Sequence, residues 1–104
     1  MTVESTPPNP GQDDGGELSR SATIANRRGL HARAAAKFVK LAATFDAQVT
    51  VGHRGTEVSG LSIMGLMMLA AAPGCCIELK ARGNQAAQAL GALCDLIDKK
   101  FDED

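Results

Sequence analysis

The sequence predicts a two-layer α+β domain, an open-faced sandwich with a four-stranded antiparallel sheet and three helices on one face. Three observations predict it. Apolar residues alternate in four short segments, they recur at helical spacing in the segments between, and the elements follow the order β-α-β-β-α-β-α. The chain has 104 residues, which is room for one such domain.

The first half of the fold begins with a strand predicted at residues 21–25. A helix follows at residues 32–44, indicated by apolar residues at helical spacing, which are Ala35, Phe38, Val39 and Ala42. Alternation then predicts a strand at residues 47–51. Residues 56–59 return as its partner, through a hairpin loop at residues 52–55.

The second half begins at Ser62, which is suited to cap a short helix running through Leu69. Pro73 and Gly74 turn the chain into a fourth strand at residues 75–81. The last helix starts after Gly83-Asn84 and shows an apolar stripe, which consists of Ala86, Leu90, Leu93, Cys94, Ile97 and Phe101. Two helical stripes can cover one face of the sheet.

The composition excludes several classes of protein. Three phenylalanines are the only aromatic residues and the net charge is −1, which argues against nucleic-acid binding. The uncharged stretch at residues 58–77 is broken by Gly and Pro, so we expect no membrane insertion. Three cysteines without metal-ligand spacing (Cys75, Cys76 and Cys94) are expected to be small core residues in a cytoplasmic protein without metal or cofactor.

The chain divides at about residue 19 into an acidic lead-in and a folded part. Residues 1–19 carry three of the four prolines and four acidic residues, so we expect a flexible extension. All eleven basic residues and eight of the twelve acidic residues lie in residues 20–104, which therefore carry a net charge of +3. The extension is either a solvated tail or a shield over a basic face.

One histidine is predicted to lie at a helix start. Gly29 permits a tight turn before His31, where unpaired backbone N–H groups and the helix dipole favour anions. A neutral imidazole there is a nucleophile that a phosphoryl group would convert into an anionic product. The Arg33 guanidinium could reach its oxygens. The alternative is that His31 only caps the helix.

Two sequence motifs resemble those of HPr, the histidine phosphocarrier of the bacterial phosphoenolpyruvate-dependent phosphotransferase system. Residues 29–39 (GLHARAAAKFV) are similar to the family's active-site signature, and residues 62–69 (SIMGLMML) to its regulatory-serine helix. The similarity covers residues 20–100, and the inferred order of elements agrees with the family fold.

The resemblance implies a phosphocarrier without turnover of its own. His31 would take a phosphoryl group on Nδ1 from phospho-enzyme I and pass it to IIA-type acceptor proteins. The Arg33 side chain and the backbone N–H groups of Ala32 and Arg33 would hold the phosphate. Ser62 matches the serine that HPr kinase/phosphorylase modifies in many members of the family. We expect a monomer.

The short helix after Ser62 is rich in methionine. Six large apolar residues exceed what one face of a short helix can bury, so some must be exposed. We expect Ile63, Met64 and Met67 on the exposed side, where the family docks its partners.

Two positions depart from the family pattern. Ala34 stands where proline usually follows the arginine, which loosens the first helical turn but adds an N–H donor. Arg28 replaces the usual asparagine before the glycine, which raises the positive field and removes a polar group near the imidazole.

A second hypothesis of a different class remains open. The chain would be a regulatory interaction module, of nitrogen type or controlled by a kinase, whose output is partner binding tuned by phosphorylation of Ser62 rather than sugar transport.

Overall fold

A computed structural model describes residues 16–103, so most of the predicted N-terminal extension lies outside the described residues. The described chain has seven elements before its last turn, which are β1 (Leu18–Thr23), α1 (Ala32–Ala42), β2 (Gln48–His53), β3 (Thr56–Ser59), α2 (Ile63–Met68), β4 (Cys76–Arg82) and α3 (Ala86–Asp98). A 3-10 turn follows at Lys100–Asp102. The predicted order of elements is confirmed.

The four strands form one antiparallel sheet in the order β1–β4–β2–β3. The turn between β2 and β3 has two residues in the left-handed region, Arg54 (φ 52°) and Gly55 (φ 84°). Positive φ at both turn positions is typical of the tight turn that fits the twist of a hairpin. The predicted α+β open-faced sandwich is therefore confirmed.

One core lies between the sheet and the helices. Alternate residues of the central strands, such as Val51 and Leu79, are fully buried, and so are Phe38 of α1, Leu66 of α2 and Leu93 of α3. Period-two and helical patterns thus meet in one apolar layer, because each element turns its apolar side toward the others.

Several element boundaries differ from the sequence prediction by one or two residues, and two others differ by three. β1 starts at Leu18 rather than at residue 21, because Leu18 pairs with Ala81 of β4 at the far end of the strand. α3 ends at Asp98, so Phe101 does not belong to its apolar stripe as predicted. Phe101 is buried from the 3-10 turn instead, with φ 56°.

Candidate phosphate-accepting site at the start of α1

The loop from β1 to α1 is fixed by Gly29. Its φ is +68°, and a Cβ added there would lie 2.5 Å from the carbonyl oxygen of Ala71. The next residue, Leu30, is buried and donates its backbone N–H to that same oxygen at 3.0 Å. Only glycine allows this close approach, which places His31 at the start of α1.

His31 is the N-cap of α1, as the sequence predicts. Its backbone is extended (φ −79°, ψ −179°), and its carbonyl oxygen accepts the first helical hydrogen bond from Ala35 at 2.9 Å. The ring nitrogen Nδ1 accepts a hydrogen bond from the backbone N–H of Arg33 at 3.3 Å. Nδ1 therefore carries a lone pair and no proton.

The other ring nitrogen is held by a residue that the sequence reasoning missed. Nε2 of His31 lies 2.9 Å from Oε1 of Glu103, 72 positions further along the chain. Since Nδ1 is an acceptor, the neutral ring carries its proton on Nε2 and donates it to this carboxylate. The hydrogen bond from His31 is the main cause that lowers the pKa of Glu103 below its usual value, and the hydrogen bond from Asn26 and the charge of Lys37 act in the same direction.

Asn26 is a second residue that was not predicted. It is fully buried, and its side-chain Nδ2 donates to the carbonyl oxygen of Gly29 at 2.8 Å and to Oε1 of Glu103 at 3.4 Å. Arg28 stands where the resemblance implies an asparagine, but Asn26 and Glu103 supply polar groups behind the imidazole. The Nδ2 group of this buried amide is hydrogen-bonded, and a polar asparagine between a strand and a glycine turn was the signal in the sequence that could have identified it.

The C-terminal turn brings Glu103 to the ring. Lys37 of α1 donates from Nζ to the carbonyl oxygen of Phe101 at 2.6 Å, and the Phe101 side chain is fully buried. Lys100, Phe101 and Asp102 all have φ between 56° and 60°. Left-handed backbone costs about 1–2 kcal/mol for each ordinary residue. Burial of Phe101 and the bond from Lys37 offset that cost.

Beside this carboxylate lies a cavity of about 210 Å³, lined by Arg27, Arg28, Arg33 and Glu103. The Arg33 guanidinium makes no hydrogen bond or ion pair within residues 16–103, so it is available to an incoming anion. The backbone N–H groups of Ala32 and Ala34 also have no acceptor in this part of the chain. The start of α1 therefore offers backbone N–H donors beside His31 and positive charge in the cavity next to Glu103.

Ser62 and the methionine-rich helix lie where the sequence places them. Ser62 is the N-cap of α2, and its Oγ accepts the backbone N–H of Gly65 at 2.9 Å. The predicted trio of Ile63, Met64 and Met67 is exposed, with Met64 at 69%. The structure adds two exposed neighbours, Leu61 and Met68. We call these five residues the apolar patch.

The remaining candidates from the sequence, His53 and the three cysteines, lie outside this site. His53 belongs to the predicted hairpin loop at residues 52–55 but is the last residue of β2; it is half-buried, and its Nδ1 contacts the carbonyl oxygen of Cys76 at 3.2 Å. The expectation that all three cysteines are core residues is wrong for Cys76, whose side chain points from β4 to the open face of the sheet and is exposed. Burial raises the pKa of the Cys94 thiol.

Residues 16–103 contain no group of three or more His, Cys, Asp or Glu side chains arranged to hold a metal ion. No helix among them has the length and hydropathy needed to cross a bilayer.

Fold and site together define a small α+β sandwich with a histidine as the N-cap of a helix, near a cavity lined by three arginines. A family model described as "PTS HPr component phosphorylation site" matches residues 18–99. The chain therefore belongs to the HPr family of phosphocarrier proteins of the phosphotransferase system.

Similar proteins agree with this assignment. A phosphocarrier protein HPr from Neisseria meningitidis is 50% identical over 83% of this chain and 97% of its own length. A phosphocarrier protein NPr from Shewanella violacea is 46% identical over 84% of this chain and 96% of its own length. The crystal structure of an HPr from Thermoanaerobacter tengcongensis, 40% identical, superposes with a TM-score of 0.80 and covers 84% of this chain and 98% of that one.

Proposed function

We propose that this protein relays a phosphoryl group through His31, from phospho-enzyme I to IIA-type acceptor proteins. The observation that carries the proposal is the state of the ring. Nδ1 has its lone pair at the start of α1, while Nε2 is bound to Glu103. One nitrogen is a nucleophile and the other is occupied, which selects Nδ1 as the acceptor atom.

The chemistry needs little besides position and charge. The Nδ1 lone pair forms a bond to phosphorus as the donor's P–N bond breaks and its electron pair returns to the donor nitrogen. The backbone N–H of Arg33 then loses its acceptor, the lone pair of Nδ1, and can donate to a phosphoryl oxygen together with the N–H groups of Ala32 and Ala34. Positioning and charge neutralisation are what phosphoryl transfer requires of a protein.

The partners would bind beside this site. Ile63, Met64 and Met67 in the apolar patch are the proposed docking residues, because flexible thioethers adapt to more than one surface. The protein would act as a cytoplasmic monomer with no bound cofactor, in sugar uptake or in a regulatory branch of the system.

The test is phosphorylation with enzyme I of the source organism and labelled phosphoenolpyruvate. The wild type should gain one phosphate that acid removes, and His31→Ala should gain none. His53→Ala is the matched control, since it removes the only other histidine, and it should label like the wild type. Labelling of His31→Ala would contradict the proposal.

Ser62 supports a second function, regulation by phosphorylation. Its hydroxyl lies at the start of α2 next to exposed apolar side chains, so a phosphate there would add about −1.5 to −2 charges to the docking surface. A serine kinase of the HPr kinase/phosphorylase type with ATP should add an acid-stable phosphate that Ser62→Ala lacks. If Ser62→Asp leaves the affinity for every phosphotransferase partner unchanged, Ser62 is only a helix cap.

A further inference from the structure

The back of the His31 ring is held by a carboxylate from the other end of the chain. Oε1 of Glu103 receives the Nε2–H of His31 at 2.9 Å and the amide of Asn26 at 3.4 Å. The two contacting side chains are only 18% and 19% exposed. The proton on Nε2 is thus shared with a fixed acceptor rather than with bulk water.

Transfer to Nδ1 creates charge on the ring. The attacking lone pair becomes the Nδ1–P bond, and Nε2 keeps its proton, so the phosphorylated ring is a cation. When the group moves on, the Nδ1–P bond breaks, its electron pair returns to Nδ1, and the ring is neutral again. A cationic ring is the better leaving group, because the departing nitrogen recovers a neutral imidazole instead of an anion.

Four cations oppose retention of that proton. Arg27, Arg28 and Arg33 line the cavity with Glu103, and Lys37 acts on the same carboxylate from α1. Neighbouring positive charges disfavour a positive charge on the ring. Glu103 is the acidic side chain that contacts the ring, and it supplies the opposing charge at hydrogen-bond distance.

We propose that Glu103 is a positioning residue that keeps the Nε2 proton on His31 through both transfers, so that the phosphorylated ring stays cationic and ready to give up its phosphoryl group. The inference rests on the proposed function of His31. The lowered pKa of Glu103, caused first by the hydrogen bond from His31, agrees with a carboxylate that stays charged beside the ring. Neither transfer then needs a proton from another molecule.

The experiment compares Glu103→Gln and Glu103→Ala with the full-length wild type. Gln keeps an acceptor oxygen but no charge, and Ala keeps neither. Asp102→Asn is the matched control, because it removes one negative charge from the adjacent exposed residue, whose side chain makes no hydrogen bond or ion pair within residues 16–103. Each protein is phosphorylated with enzyme I, and the rates of onward transfer to a IIA-type acceptor and of hydrolysis are measured from pH 6 to pH 9.

In the wild type and in Asp102→Asn, both rates should persist to higher pH than in the Glu103 variants. At pH 8 onward transfer should be about tenfold slower in Glu103→Ala, the effect expected of one neighbouring charge, with little difference at pH 6. In the unphosphorylated proteins, ¹⁵N shifts of the imidazole should show the Nε2–H tautomer in the wild type and a mixture of tautomers in Glu103→Ala.

The outcomes separate the two proposals. Identical pH profiles and tautomers in all four proteins, with normal labelling of the wild type, overturn the role of Glu103 and leave His31 as the carrier. A uniform loss of rate at every pH also overturns it, because that is the mark of a merely structural contact. If the wild type takes no phosphate, the carrier proposal fails and this one fails with it.

Discussion

At the starts of both α1 and α2, the N-cap side chain accepts a backbone N–H, but the two hydrogen bonds differ in length. At α2 the Ser62 hydroxyl accepts a backbone N–H at 2.9 Å, and at α1 the His31 ring accepts one at 3.3 Å. The Ser62 bond is a short, local cap of a helix of six residues. The His31 bond is long, and the ring is held mainly from behind by Glu103.

The difference shows how a cap becomes a reactive site. A short bond to a cap stabilises the helix and occupies the lone pair. A long bond from a backbone N–H leaves the lone pair of Nδ1 open to attack, and the ring needs an outside partner to fix its orientation. Four predictions test this contrast.

The largest effect is expected from Gly29→Ala. The new Cβ would clash with the carbonyl oxygen of Ala71 in a left-handed backbone, so the loop that carries His31 must move. We expect a loss of about 2–4 kcal/mol in free energy of unfolding, measured by urea denaturation, together with slower phosphorylation. Gly74→Ala, also at positive φ but with open space around the added Cβ, should lose less and keep phosphorylation.

Ser62→Ala should separate stability from phosphate acceptance. Loss of the cap costs about 1 kcal/mol in free energy of unfolding, while labelling by enzyme I is unchanged. Ser62→Asp should recover most of the stability, because aspartate also caps helices. Labelling that falls with Ser62→Ala would show that the two helix starts are coupled.

Ala34→Pro should show whether the extra N–H at the start of α1 is used. Proline in the first helical turn restricts the unfolded chain and should stabilise by about 0.4–1 kcal/mol if the ring fits. It also removes a donor that would face the phosphoryl group. We therefore expect slower phosphorylation than in the wild type at equal or higher thermal stability. Unchanged rates would mean that Ala32 and Arg33 suffice.

The smallest effect concerns pH. Because the pKa of Glu103 is lower in the folded chain than its usual 4.5, the contact with His31 stabilises fully above that pH and is lost as the pH falls through the folded value. The difference in free energy of unfolding between the wild type and Glu103→Gln should be smaller at pH 3 than at pH 5. A difference that grows in acid would contradict the sign.

Only part of the site could be predicted from the sequence. Gly29, His31 and Arg33 lie within five residues, so their arrangement follows from a turn and a helix start, which local sequence determines. Glu103 could not be placed in the same way. Its approach depends on three ordinary residues adopting left-handed backbone, against their intrinsic preference, because Phe101 gains a place in the core.

By itself the sequence determined the order of elements, the apolar faces, the two helix caps and the family, because each rests on periodicity or on a short run of residues. The tertiary structure decided which residues surround the His31 ring, where β1 begins and that Cys76 is exposed. These depend on pairings across the sheet and on contacts between the two ends of the domain. Such contacts are set by the packing of the whole core, and no local pattern encodes them.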